Sequence, residues 1–314
     1  MWSDDHGAFV TEGGEAGVVY AEVPLTAAVR RACRLSGPAT RLHGGEESAA
    51  WRVGDKVVRI SAYAKDLAEA EWCHRVAGAA RAGGCTEAVV PLPLPGRADG
   101  ATVMRIEGRT VSLWPYVDGV WVPKDNLESA LAAARLLARL HRALAKVELP
   151  PRPRPSLLDV GQAAYDDPEL HDPQLDNWLS DFTTRSRLWH PLHGDYYRGN
   201  LLTAHDDPTR IIGVLDWDEA LVAPPEVEVA GAAMEFTPDF SENLAQPRQF
   251  AQTYRRSGGT AESLDDESLV QLMRHRLRRE SVYFTQAAAQ GVEQDEEDLD
   301  YHRRRLAAFT RLRP

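Results

Sequence analysis

The sequence lacks the features that would place the protein in a membrane or outside the cell. No run of about 18 apolar residues, the length that a membrane-spanning helix requires, occurs among its 314 residues. The opening stretch MWSDDHGAFVTEGGEAG contains neither the basic segment nor the apolar segment that is typical of a secretory leader. We therefore expect a cytoplasmic protein with no membrane partner.

Cysteines and basic residues are also in short supply. The three cysteines, Cys33, Cys73 and Cys85, are odd in number and form no CxxC pair, which argues against a disulfide framework and a zinc site. Lys and Arg total 36 against 47 Asp and Glu, so the net charge is -11 and a nucleic-acid partner is not expected. The same charge permits a cationic ligand. No internal repeat is found, and the length favours two lobes.

The chain from about 41 to 117 alternates short β-type runs with turn signals. SAAWRV and VVRI flank a turn at 54–55, and ATVMRI and TVSLWPYV flank a turn at 107–108. This pattern predicts a small antiparallel sheet. Between the two hairpins, KDLAEAEWCHRVAGAARAGG is typical of one helix that ends at Gly83 and Gly84.

Helices are predicted to dominate the rest of the chain. NLESALAAARLLARLHRAL places an apolar stripe on one face of a helix, which Asp125 or Asn126 would cap. His141 lies on that stripe, where a core histidine is the simplest interpretation. The sequence thus predicts an α+β protein with two domains, a β-rich lobe with one helix at 1–117 and a larger, mainly helical lobe at 118–314.

Two polar motifs lie in the second lobe. HGDYYRGN places Asp195 and Asn200 five residues apart in a tight loop, and IIGVLDWD places Asp216 at the end of a predicted strand. Oxygen ligands that converge on a cleft suit magnesium, and magnesium in such a cleft is typical of phosphoryl transfer. In a kinase catalytic loop, the Asp that orients the acceptor hydroxyl precedes a metal-binding Asn by five residues. The motifs therefore favour a kinase over ordinary turns.

These motifs resemble those of the aminoglycoside phosphotransferase-like family, which consists of small-molecule kinases with a bilobal protein-kinase-like fold. The resemblance implies that Asp195 is the catalytic base and that Asn200 and Asp216 bind magnesium. It also implies that His193 organises the loop and that the nucleotide is ATP, with GTP as an alternative. Arg198, a further catalytic candidate, could line the acceptor site or pack the loop, and we favour packing.

The nucleotide side departs from the family in one respect. Arg59 in VVRIS replaces the strand lysine that contacts the phosphates, which a guanidinium can also bind. The carboxylate that pairs with it would be Glu69 or Glu71, which lie on different faces of one helix, and we favour Glu69. The stretch VSLWPYVDG resembles the hinge that carries adenine. Trp114 and Tyr116 within it are therefore candidate nucleotide contacts, or else core aromatics.

Four further positions complete the predicted site. Gly44 and Gly45 in HGGEES lie where the family has a loop over the phosphates, although two glycines alone are a weak signal. Asp218 is either an auxiliary metal ligand or a solvated carboxylate at a strand end. Glu228 stands where the family segment has an Asp that opens the next helix.

The acceptor is expected to be a small molecule with a hydroxyl group. Residues 156–184 contain seven acidic residues and no Lys or Arg, so this segment could steer a cationic acceptor such as an aminoglycoside or could simply face solvent. Homoserine, choline and sugars are alternative acceptors. Two other functions are also open, namely a nucleotide-binding module with little activity and a metal-dependent phosphohydrolase. The protein could be a monomer or a homodimer.

Overall fold

The computed structural model describes seven stretches of the chain, and the statements below concern these residues. They are 23–42, 48–62, 64–153, 167–186, 188–237, 243–289 and 295–314.

An antiparallel five-stranded sheet forms the first lobe, and its strands are β1 (Thr40–Leu42), β2 (Ser48–Val53), β3 (Lys56–Ser61), β4 (Val103–Ile106) and β5 (Arg109–Pro115). Their order in the sheet is β1-β2-β3-β5-β4. The turns predicted from the sequence join β2 to β3 and β4 to β5, and Gly54 and Gly108 within them adopt the positive φ that such tight turns need. Alternate residues of β3 and β5 point into an apolar core.

Two helices accompany this sheet where the sequence predicted one. Helix α2 (Leu67–Ala82) is the predicted helix, and it starts at Asp66, whose Oδ1 accepts hydrogen bonds from two backbone N–H groups of the first turn. It ends at Gly83, as expected. Helix α1 (Ala27–Ala32) is short and lies before the region in which the sequence pattern was interpretable.

The second lobe is mainly helical. Helix α3 begins after Asn126, whose Oδ1 accepts a hydrogen bond from the N–H of Ser129 at 3.1 Å, so Asn126 is the cap. The elements of the second lobe are β6 (Val120–Trp121), α3 (Leu127–Leu144), α4 (Pro173–Arg185), β7 (His190–Leu192), β8 (Leu201–Ala204), β9 (Asp207–Val214), β10 (Leu221–Ala223), α5 (Pro225–Glu235), α6 (Ala245–Arg256), α7 (Asp266–Ala289) and α8 (Glu296–Arg311).

Helix α3 lies at the centre of the larger core. Apart from Leu127, which is exposed in the first turn, its predicted apolar stripe is buried and packs against α2, α6 and β9. The α+β fold predicted from the sequence, with a small antiparallel sheet and a larger helical part, is confirmed. The division into domains at 117 and 118 falls between β5 and β6 and stays a prediction. In the stretches given above, no helix combines the length and the apolar character needed to cross a membrane.

Candidate active site

Two loops of the second lobe face each other because strand pairs close both of their ends. The catalytic loop, residues 193–200, runs from β7 to β8, and the acidic loop, residues 215–220, runs from β9 to β10. The last residue of β7 pairs with the first residue of β10, and the first residue of β8 pairs with the last residue of β9. This pairing brings together two motifs that are separated along the chain.

Direct contacts lock the two loops together. The backbone N–H of Leu215 donates to the carbonyl of Asn200 at 2.8 Å, and His193 Nε2 is 2.7 Å from the Leu215 carbonyl. Gly194 has φ of 90°, and a Cβ atom there would lie 1.9 Å from the carbonyl oxygen of Glu219. Only glycine permits this approach, because any side chain would push the loops apart.

Asp195 is held from two sides. Asn200 Nδ2 donates to the backbone carbonyl of Asp195 at 2.8 Å and to its carboxylate Oδ2 at 3.0 Å. Arg276 of α7 donates through Nη2 to Asp195 Oδ1 at 2.7 Å. The carboxylate is therefore fixed in orientation, while 26% of the side chain is still exposed to a ligand.

The buried carboxylate of Glu228 holds the start of the catalytic loop in place. Glu228 of α5 accepts hydrogen bonds from the backbone N–H groups of His193 and Gly194, and it lies 2.7 Å from His141 Nε2. His141 Nδ1 in turn contacts the Tyr254 hydroxyl at 2.7 Å, so His141 is a core histidine with both ring nitrogens engaged. Burial acts to raise the pKa of Glu228, but the hydrogen bonds from His141 and Gly194 outweigh it and lower the pKa.

The acidic loop meets two cations of the first lobe. Arg59 of β3 binds both carboxylate oxygens of Asp216, at 3.0 and 3.2 Å, and also Asp218 Oδ2 at 3.2 Å. Lys65 Nζ lies 3.0 Å from the same oxygen of Asp218. Trp217 between the two aspartates is fully buried and anchors the loop. Burial acts to raise the pKa of Asp218, but the charges of Arg59 and Lys65 outweigh it and lower the pKa.

The predicted magnesium ligands are brought together by these loops. Asn200 uses its Nδ2 for Asp195, and among the described residues its Oδ1 accepts no hydrogen bond, which leaves a hard oxygen for a metal. Asp216 has φ of 53°, an uncommon backbone conformation for a residue other than glycine, and such strain concentrates at functional sites. No three His, Cys, Asp or Glu side chains in the described ranges converge as a metal site by themselves. The oxygen donors of Asn200, Asp216 and Asp218 are nevertheless of the kind that magnesium prefers, and these residues would hold it.

The expected pair of Arg59 with Glu69 is not the arrangement that the structure gives. Glu69 Oε1 accepts from Arg152 Nη2 at 2.8 Å, and Arg59 turns to the acidic loop. Glu71 accepts hydrogen bonds from the backbone N–H and the hydroxyl of Thr102, at 2.8 and 2.9 Å, so it ties α2 to the sheet. The carboxylates of the acidic loop compete successfully for the guanidinium because two of them lie within reach of it.

Trp114 and Tyr116 are packed side chains. Trp114 is 5% exposed, donates through Nε1 to Ser112 Oγ at 2.8 Å and meets His74 edge to face. The guanidinium of Arg52 lies 3.6 Å above the centre of the Tyr116 ring. A nucleotide contact at this hinge would therefore come from the backbone, and its role stays a prediction.

Three other predicted positions are untested. Gly44 and Gly45 lie outside the described residues. Arg198 opens a short 3-10 turn at 198–200 and is half-buried, and its charge acts on Tyr301 of α8. Its role in the reaction stays a prediction.

The sequence did not point to Lys65 or Arg276. Lys65 lies outside both motifs and is linked to Asp218 only by folding. Arg276 belongs to the run RHRLRRE on α7, and four arginines within six positions are more charge than one solvent-facing stripe of a helix accommodates. This density of arginines on one helix indicates that some of them are buried.

Three comparisons relate this chain to known proteins. Residues 38–263 match the APH family, described as a phosphotransferase enzyme family. A homoserine kinase of Bradyrhizobium diazoefficiens is 27% identical over 183 residues, which are 53% of this chain and 54% of that enzyme. The chain thus spans about half the length of that curated relative.

Solved structures share the fold over most of the chain. A microcompartment-associated aminopropanol kinase has a TM-score of 0.68 at 17% identity, covering 89% of this chain and 92% of that one. The amicoumacin kinase hAmiN, in complex with AMP-PNP, Ca2+ and Ami, has a TM-score of 0.65 at 13% identity, covering 86% and 87%. At these identities the likeness shows the fold, and the bilobal protein-kinase-like fold expected from the sequence motifs is confirmed.

Proposed function

Because this chain belongs to the APH phosphotransferase enzyme family, we propose that it transfers the γ-phosphoryl group of ATP, bound with magnesium, to a hydroxyl group of a small molecule. One observation carries the proposal. The catalytic loop and the acidic loop face each other, and Arg59 of the first lobe reaches the acidic loop, where it binds Asp216 at 3.0 Å. The residues for phosphate, metal and acceptor are thereby gathered at one place between the lobes.

Asp195 is the group that orients and accepts the proton of the acceptor hydroxyl. Arg276 and Asn200 hold its two carboxylate oxygens, at 2.7 and 3.0 Å. A carboxylate fixed in this way loses little freedom when the acceptor binds, which is how positioning lowers the barrier of phosphoryl transfer.

Asn200, Asp216 and Asp218 would hold the magnesium. The ion supplies charge that bridges and neutralises the phosphates. Arg59 and Lys65 contact the acidic loop, and their positive charges would bind phosphate oxygens of the nucleotide there. GTP could replace ATP without changing these contacts.

The geometry argues against a metal-dependent phosphohydrolase, which would use His193 as a metal ligand. His193 Nε2 is 2.7 Å from the carbonyl of Leu215, and Nδ1 accepts from the backbone N–H of Asp195 at 3.3 Å. Both ring nitrogens are therefore occupied within the protein. An inactive nucleotide-binding module would not need the constrained Asp195, so the kinase is the better interpretation.

The acceptor is proposed to be small. The relatives are named for homoserine, aminopropanol and amicoumacin, and these names support a small hydroxyl compound as the acceptor class for this chain. A cytoplasmic location and a monomer or homodimer remain our expectations.

ATP consumption in the presence of magnesium tests the function, with homoserine, choline, amino alcohols, sugars and aminoglycosides as candidate acceptors. Asp195→Asn should retain ATP binding and lower turnover by about 100-fold or more, because the amide cannot accept the proton. Asp206→Asn is the control, since Asp206 is exposed and pairs only with the exposed Arg210 among the described residues. Near-normal turnover in folded Asp195→Asn would contradict the assignment.

A further inference from the structure

Helix α7 neutralises part of the acidic segment at 156–184. Arg278 is buried and donates to Asp176 Oδ1 at 2.7 Å. Arg274 is also buried and pairs in the same way with Asp172. These two carboxylates therefore face cations of the same chain, and they do not offer uncompensated negative charge to a cationic acceptor. The charges of Asp172 and Asp176 therefore do not favour an aminoglycoside as the acceptor.

Arg279, on the same helix, has no such partner. Within the described part of the chain its guanidinium forms no hydrogen bond and no ion pair. The charges that act on it are those of Arg276, Glu219 and Asp195, and burial followed by the charge of Arg276 lowers its pKa to about 10. Arg279 is thus still a cation at neutral pH, and no carboxylate in the described ranges pairs with it. Such a group favours an anionic ligand.

A cavity connects Arg279 with the catalytic loop. It lies between this loop, α5 and α7, and Gly194, His275, Arg276 and Arg279 contribute to its lining. His275 is 1% exposed, and over the stretches that the structure describes neither of its ring nitrogens has a hydrogen-bond partner. Burial lowers the pKa of His275 well below its ordinary value of 6.5, so the ring is neutral and offers one N–H donor.

Arg276 lines this cavity and also contacts Asp195 at the reacting end of the site. Its guanidinium contacts Asp195 at 2.7 Å and Glu280 of its own helix, so carboxylates of the protein already occupy it. Arg279, three residues further along α7, lies on the same side of the helix. The cavity therefore has one cation paired with Asp195 and, next to it, one cation without an ion-pair partner among the described residues. Two carboxylates, Glu228 and Glu235, also line it, and they are engaged by His141 and Arg305.

We propose that this cavity binds a carboxylate group of the acceptor, through the guanidinium of Arg279 and the ring N–H of His275. The proposal rests on the proposed function, because it places the hydroxyl end of the same molecule at Asp195. A planar guanidinium matches a carboxylate through two parallel hydrogen bonds. The acceptor class is then a small hydroxy acid or hydroxyamino acid, in preference to a polycationic antibiotic.

Two matched pairs of acceptors test the carboxylate directly. L-Homoserine and 3-amino-1-propanol differ only by the carboxylate, and so do L-serine and ethanolamine. We expect kcat/KM of the wild-type protein to be at least about tenfold higher for the acid of at least one pair, because a charge-assisted bidentate contact is lost in the amine. Kanamycin serves as the polycationic comparison and should be a poorer acceptor than that acid.

The variant Arg279→Met should abolish this preference, bringing the acid and the amine to within about threefold of each other, chiefly through a higher KM for the acid. Arg279→Lys keeps the charge and should retain part of the preference, since lysine cannot form the bidentate contact. Arg210→Met is the control for loss of one positive charge, because Arg210 is exposed and lies on β9. It should leave the preference unchanged.

The outcomes separate the two proposals. If amines or kanamycin are the better acceptors, or if Arg279→Met keeps the preference for the acid, the carboxylate site is wrong and the kinase stands. If calorimetry shows normal binding of MgATP but no acid is phosphorylated, the carboxylate site is likewise wrong. If the wild-type protein does not bind MgATP at all, the proposed function itself is wrong.

Discussion

Replacing Glu228 by Gln tests how the catalytic loop is supported. Glu228 Oε2 accepts from the N–H of His193 at 3.2 Å and lies 2.7 Å from His141 Nε2, and Oε1 accepts from the N–H of Gly194. Glutamine has one acceptor oxygen, so its NH2 group must face either the Gly194 N–H or the other two groups. In both orientations, at least one buried N–H loses its acceptor and meets a second donor.

The expected loss of stability follows from these contacts. A buried donor without an acceptor costs about 1 to 3 kcal/mol, and loss of the charge weakens the hydrogen bonds that remain. We expect Glu228→Gln to lower the free energy of unfolding at pH 7 by about 2 to 4 kcal/mol. Turnover should fall by about 10- to 100-fold, because Asp195 directly follows the released residues and small displacements of a reacting group are costly.

Glu226→Gln is a matched control. Glu226 lies on the same helix, is equally buried and accepts from the N–H of Ser263 at 3.2 Å, a contact that a glutamine oxygen can keep. Burial raises the pKa of Glu226, so its ionised form is disfavoured in the fold and removal of the charge should cost little at pH 7. Urea denaturation of the wild-type protein and both variants measures how much each substitution lowers the free energy of unfolding.

The same pair of variants predicts a pH dependence. Because the pKa of Glu228 is lowered from 4.5 by folding, its carboxylate contributes its full stability above pH 4.5 and loses it as the pH falls through the folded-state pKa. The difference in the free energy of unfolding between the wild-type protein and Glu228→Gln should therefore become smaller below pH 4.5. If Glu228→Gln is as stable and as active as Glu226→Gln at pH 7, the support that we assign to Glu228 does not exist.

Five further variants probe the metal ligands, the phosphate contact and the support of the base. Asn200→Ala and Asp216→Ala should each weaken magnesium-dependent ATP binding in calorimetry, Asp216→Ala more strongly because it removes a charge, and unchanged affinity in both would contradict the metal site. Arg59→Ala should weaken ATP binding and turnover together, with part of both retained in Arg59→Lys; an unchanged dissociation constant would limit Arg59 to bracing the acidic loop. Arg276→Met should lower kcat by about tenfold at unchanged ATP affinity, because Asp195 loses one of its two restraints, and an unaltered kcat would mean that Asn200 suffices.

The sequence alone determined the elements that depend on neighbouring residues. The two hairpins follow from β-type runs on either side of tight turns, and the ends of α2 follow from Asp66 and Gly83. The spacing of Asp195 and Asn200 is likewise local, because five residues span one loop, and their hydrogen bonds confirm that the loop is tight.

Only the tertiary structure decided which charges meet. Arg59 and Asp216 are 157 residues apart, and their contact depends on how the sheet lies over the acidic loop. The resemblance suggested that a carboxylate of the first-lobe helix pairs with Arg59, and Glu69 was favoured because apolar residues follow it at helical spacing. In the structure, however, Arg152 pairs with Glu69. A long charged side chain can reach several partners, and the choice among them is set by packing and distance rather than by the residue types.

The arginines of α7 show most clearly that the residue types alone do not determine which charges pair. In the sequence they form a basic run, and 156–184 forms an acidic one, so each alone is compatible with a solvated face. Packing of α4 against α7 buries Arg274 and Arg278 with carboxylates of the acidic run and leaves Arg279 beside the catalytic loop. Composition gives the number of charges, but their free energies depend on burial and on the partner, and only the folded chain fixes both.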